Sequence, residues 1–132
     1  MTDDPRHSAR DLADALRAFH KAVIDAALTD GQDTPTDPFA RLNALMRDPR
    51  FAWLQPLSSL VADTDHVLRT APDLDDEAAR ELRRTTEAVL GPTDSDESAG
   101  LRRKIGELTP DHPEVGIALA DVRQALARLP EA

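Results

Sequence analysis

The stretch that decides the fold class is residues 4–28, DPRHSARDLADALRAFHKAVIDAAL. Asp4 followed by Pro5 is typical of a helix start, because aspartate caps the free N–H groups and proline is tolerated in the first turn. Apolar residues then recur at steps of three and four, which is the period of an amphipathic helix. They are Leu12, Leu16, Phe19, Val23, Ala26 and Ala27. The pattern predicts a helix over residues 5–28.

Prolines punctuate the rest of the chain at positions where helices begin or end. With the apolar stripes between them, they predict helices over 38–47, 49–70, 74–90, 94–108 and 113–129. Pro56 either kinks or breaks the helix over 49–70. The alternation of apolar and polar residues that marks a strand is absent from the sequence. We therefore predict an all-α fold, a single helical bundle of five to six helices without a sheet, covering residues 1–132 with 1–4 disordered.

The composition agrees with this class. The 132 residues suit one domain with one core. They include 21 Ala and 17 Leu but only 3% aromatic residues, which favours helices over strands. The absence of cysteine excludes disulfides, thiolate zinc sites and thiol nucleophiles. The acidic N-terminal residues do not resemble a secretory signal, so we expect a cytoplasmic protein.

The net charge of −9 bears on partners. Nucleic-acid phosphates and anionic lipids attract basic surfaces, so we expect neither a nucleic acid nor a membrane as a partner. The arginine- and aspartate-rich composition fits a GC-rich coding sequence, and adaptation to high salt is the alternative. Unfolding in dilute buffer compared with molar salt separates the two.

Residues that could carry chemistry are few. Glycine-rich phosphate loops and nucleophile elbows are missing, and we predict no catalytic, cofactor-binding or metal-binding residue. His20 lies at the edge of the first apolar stripe, where a structural role is favoured over a catalytic one. Asp63 and His66 have the spacing of a metal-binding pair, but the helical period places both on the solvent side.

The aromatic residues cluster. Phe39, Phe51 and Trp53 fall close together, and Arg50 adds a second residue type that is common in interfaces. Trp53 either plugs the end of the core or anchors an interface. Together with His20, these residues form the candidate interface or pocket.

The segment Pro49–Ser58, PRFAWLQPLS, and the run Phe19–Asp25, FHKAVID, carry a resemblance. A weaker match covers Asp111–Val115, DHPEV. In these segments the chain resembles a group of small bacterial all-α proteins with a Pro-x-Phe-Ala-Trp-Leu-x-Pro-Leu-Ser segment. The resemblance implies a helical bundle and brings no activity with it.

Two functional hypotheses follow. The first is a non-enzymatic helical protein that acts through protein–protein contacts, as a homo-oligomer such as a homodimer, a regulator or an adaptor. The alternative is a bundle that binds a small molecule or a metal near His20 and Trp53. A cavity reaching both residues favours the alternative, whereas an exposed apolar surface favours the first.

Overall fold

The computed structural model describes residues 5–30, 39–40, 43, 47, 49–71, 73–91 and 98–130. Five α-helices and one 3-10 helix are continuous in this part, and it contains no strand, so the all-α prediction is confirmed. They are α1 (Pro5–Asp30), the 3-10 helix (Pro49–Leu54), α2 (Gln55–Thr70), α3 (Asp76–Leu90), α4 (Ala99–Leu108) and α5 (Pro113–Ala127). None of these helices is both long and apolar enough to cross a bilayer.

Some predicted segments fall partly outside the described residues. Of the helix predicted over 38–47, Phe39, Ala40, Asn43 and Arg47 are described, and all four have helical backbone conformation. Residues 1–4, predicted to be disordered, and 94–97, predicted to begin the fifth helix, lie outside the described part.

The predicted break near Pro56 is a change of helix type. The 3-10 helix ends at Leu54 and α2 begins at Gln55, with Leu54 itself in helical conformation at φ −76° and ψ −16°. Pro56 lies in the first turn of α2, where its missing N–H removes no helical hydrogen bond. The chain therefore passes from one helix into the next without a loop.

Two other helix ends differ from the sequence pattern. The helix predicted over 74–90 begins two residues later, at Asp76, because its N-cap is Asp75, whose Oδ1 accepts the N–H of Ala78 at 2.9 Å. Helix α5 ends at Ala127, and the N–H of Leu129 bonds to the carbonyl of Leu126 at 3.0 Å. That i to i−3 bond makes a tighter turn after the helix. The apolar stripe therefore continues to Leu129, two residues beyond the end of α5.

Helix α1 is the centre of the bundle and contacts each of the other four α-helices, α5 most extensively and α2 next. Its apolar stripe is buried as the sequence predicts, at Leu12, Leu16, Phe19, Val23 and Ala26. Burying each leucine, valine or phenylalanine side chain contributes about 1.5–3 kcal/mol, so the stripe is a major source of stability.

Polar contacts fix how α2 runs along α1. The Arg6 guanidinium donates to the carbonyl of Ala71 at 2.9 Å, Arg17 pairs with Asp65, and His20 contacts Ser58. Residue numbers rise on one helix as they fall on the other, so α1 and α2 are antiparallel. This places the beginning of α2 beside the middle of α1.

Candidate functional site

Trp53 is held by its neighbours in the 3-10 helix and the first turn of α2. Leu54 and Leu57 are buried in the core and anchor the segment. Phe51 and Trp53 are partly buried and pack against the edge of the same core. The tryptophan therefore has one part of its surface in the core and another available to solvent.

The available part of Trp53 borders a groove of about 520 Å³, which we call the Trp53 groove. Its apolar walls come from the 3-10 helix, α2, α3 and α4, namely Trp53, Pro56, Leu60, Val89 and Leu101. Gln55, Ser59, Asp63 and Thr85 add polar groups, and Asp63 is the one charged side chain among its described lining residues. An apolar floor with a polar rim is the usual anatomy of a recognition surface.

Gly100 leaves one side of the Trp53 groove open. It is exposed near the start of α4, and a Cβ atom added there meets no heavy atom within 4 Å. A larger side chain at this position therefore has room to enter the groove without displacing the core.

His20 lies at a different place, in the contact between α1 and α2. Its Nε2 atom is 3.0 Å from the hydroxyl oxygen of Ser58, and both side chains are partly buried. Burial removes water from the imidazole and lowers the pKa of His20 below its usual value of 6.5. The ring is therefore neutral at pH 7 and bonds to Ser58 as either donor or acceptor, depending on its tautomer.

A neutral imidazole on a serine hydroxyl is also the first step towards an activated nucleophile. Such a dyad needs a group that orients the other ring nitrogen and donors that stabilise an oxyanion. Within the described residues, Ser58 is the only hydrogen-bond partner of His20. The contact links α1 to α2 through these two side chains.

Among the described residues, the Trp53 groove does not contain the other candidate residues. His20 does not line the Trp53 groove. Phe39 is 79% exposed, Phe51 packs against the core, and the side chain of Arg50 lies outside the described part. The joint pocket of His20 and Trp53 on which the alternative hypothesis depends is thus not formed by the groove that contains Trp53.

Asp63 and His66, which have the spacing of a metal-binding pair, both lie on α2. Both side chains are exposed on α2, as the helical period predicts. In the described ranges no three His, Asp or Glu side chains converge as a metal site would require. Asp63 contributes to the Trp53 groove instead, as a negative charge on its rim.

Sequence reasoning did not identify the residues that lie beside His20 and Trp53. Ser58 closes the PRFAWLQPLS segment but was not singled out, although it is the residue that joins this segment to FHKAVID through His20. Val89 and Leu101 form walls of the groove, although neither lies near Trp53 in the sequence. Only the tertiary arrangement of α3 and α4 brings them beside Trp53.

Comparisons of this chain with protein-family models, curated proteins and solved structures find no match. The function is therefore inferred from the geometry of the chain itself.

The burial of His20 predicts a pH dependence of stability. Because the pKa of His20 is lower in the folded chain than in the unfolded one, the unfolded state binds more protons below about pH 6.5. The free energy of unfolding should therefore fall as the pH drops from about 7.5 to about 5.5, where carboxylates still contribute little. Urea unfolding across this range measures the slope.

The variant His20→Gln removes the titration while keeping a side chain that can bond to Ser58. It should show a flatter pH dependence than the wild type. An unchanged slope in His20→Gln would show that His20 is not responsible.

Proposed function

We propose that this protein acts through protein–protein contacts and that the Trp53 groove receives a basic amphipathic helix of a partner protein. The single observation that carries the proposal is the groove itself, in which a partly buried tryptophan borders an open apolar surface. Tryptophan is the residue type most enriched among the energetically dominant positions of interfaces.

The charge of the groove favours a basic partner. Asp63 is the charged residue among the described lining, and the chain as a whole carries −9. Such a field attracts a cationic segment and speeds its association, while it repels nucleic acids and anionic membranes. An apolar face on the partner helix would fill the groove between Pro56, Leu60 and Val89.

The same reasoning supports a regulator or adaptor in the cytoplasm. A chain without cysteine needs no disulfide bond, so its fold is compatible with a reducing compartment. A second copy of the chain is the competing occupant, and size-exclusion chromatography with light scattering over a range of concentrations separates a homodimer from a monomer that awaits another partner.

The direct test uses the fluorescence of Trp53, the only tryptophan. A tryptophan-free, lysine- and leucine-rich amphipathic peptide is titrated into the protein, and a scrambled peptide of identical composition serves as the charge-matched control. We expect the amphipathic peptide to shift the emission to shorter wavelength and to shield Trp53 from quenchers. Equal effects of the two peptides would show that the interaction is non-specific attraction between opposite charges.

Two glycines on α4 supply matched variants. Gly100→Phe places a ring in the Trp53 groove and should abolish the fluorescence response. Gly106→Phe is equally exposed and equally free of neighbours within 4 Å but lies outside the groove, so it should bind the peptide like the wild type. Equal binding by Gly100→Phe would show that the peptide docks elsewhere and would overturn the proposal.

A further inference from the structure

A second cavity, separate from the Trp53 groove, lies where the end of α3 meets α4 and α5. It has a volume of about 510 Å³, within the range of small-molecule sites. Leu90, Ile105, Pro110 and Leu119 supply apolar walls, and Arg102 and Arg123 are its charged lining residues in the described part of the chain. We call it the arginine cavity.

The charge of the arginine cavity runs against the charge of the protein. The chain carries −9, yet no described carboxylate lines this cavity. Guanidinium is the side-chain group best suited to hold a carboxylate, through two parallel hydrogen bonds, and Arg123 brings one to the apolar walls of this cavity.

Arg123 is available for a ligand. It borders the arginine cavity and a neighbouring depression that contains Arg83 and Glu87. Glu87 is already bound by Arg83, whose Nε atom donates to its carboxylate at 2.7 Å. Within the described residues Arg123 makes neither an ion pair nor a hydrogen bond, so its donors face solvent.

Arg102 is positioned by the end of α3. Its Nη1 atom lies 3.4 Å from the carbonyl oxygen of Ala88, and its Cδ atom lies 3.9 Å from where a Cβ atom on Gly91 would be. The side chain thus extends across the C-terminal turn of α3 towards the cavity. Gly106, which also borders the cavity, has no heavy atom within 4 Å of an added Cβ and leaves the entrance open.

We propose that the arginine cavity binds an amphipathic carboxylate, a small molecule with an apolar chain or ring that ends in a carboxylate. The carboxylate contacts Arg123, and the apolar part lies against Leu90, Ile105 and Leu119. This site is independent of the Trp53 groove, so either proposal can fail without the other.

Isothermal titration calorimetry with decanoate, below the concentration at which it forms micelles, tests the proposal. Three matched probes each change one property of decanoate. Decanol lacks its charge, acetate lacks its apolar chain, and decyltrimethylammonium carries the opposite charge. We expect saturable binding of decanoate at one site and weaker or no binding of the other three. Equal binding of decanol or of the cation would remove the role of the arginines, and equal binding of acetate would remove that of the apolar walls.

Single-residue variants test whether decanoate binds in the arginine cavity. Arg123→Gln should weaken decanoate binding by about fivefold, since one charge-assisted contact to an exposed carboxylate is lost. Gly106→Phe should block the cavity, while Gly100→Phe, on the same helix but in the Trp53 groove, should bind decanoate like the wild type. Circular dichroism checks that each variant is folded. Wild-type affinity in both Arg123→Gln and Gly106→Phe, or its loss in Gly100→Phe, would overturn the assignment.

Discussion

Replacing Phe19 with alanine should lower the free energy of unfolding by about 3–5 kcal/mol. Phe19 is fully buried in the middle of α1, the helix that contacts each of the other four α-helices. Removal of its ring from the close-packed core leaves a cavity that the surrounding side chains fill only in part. Urea or thermal unfolding measures the loss.

The matched control is Phe39→Ala, the same substitution at a residue that is 79% exposed. It should change the free energy of unfolding by less than about 0.5 kcal/mol, because little surface is buried there. A loss at Phe39 equal to that at Phe19 would contradict the placement of the core.

Replacing Gly91 with alanine should lower the free energy of unfolding by about 1–3 kcal/mol. Gly91 follows α3 with φ 92° and ψ 166°, a conformation that glycine adopts and side-chain-bearing residues avoid. Its N–H bonds to the carbonyl of Glu87 at 2.8 Å, so the backbone geometry also ends the helix. An added methyl group would meet only Arg102 at 3.9 Å, so the expected cost comes from backbone strain and not from a clash.

Gly106→Ala is the control, because we expect it to change the free energy of unfolding in the opposite direction. Gly106 lies inside α4 with open space around it, and alanine there should raise the free energy of unfolding by about 1 kcal/mol. Gly116→Ala should gain less, because its methyl group would lie 3.2 Å from the side chain of Thr109. Equal changes at the three glycines would show that local backbone geometry and packing do not control these positions.

The sequence predicts the helical fold because its dominant signals are local. The stripe in α1, which includes Leu12 and Phe19, and the prolines at helix starts need only neighbouring residues to be interpreted. The exact caps are less local. Asp73, Asp75 and Asp76 all suit an N-cap, and the packing of α3 selects among helix starts that differ little in free energy.

The candidate sites were harder to predict, because each depends on which helices become neighbours. The sequence draws attention to Trp53, but the groove beside it also needs Val89 and Leu101 from helices that follow much later. The sequence does not predict the arginine cavity, because its lining residues come from three different helices and the turn between two of them. Spacing along one helix cannot show that Arg123 of α5 lies at the same cavity.

The central place of α1 has a consequence for biosynthesis. Its most extensive partner is α5, the last of the described helices, and Arg128 just after α5 lies 3.5 Å from Asp11 of α1. During translation α1 is made before the four other described α-helices, so the part of its apolar stripe that α5 covers stays exposed until α5 has also left the ribosome. The packing of α1 is therefore completed late. Until then the nascent chain exposes an apolar helix surface, to which chaperones are expected to bind.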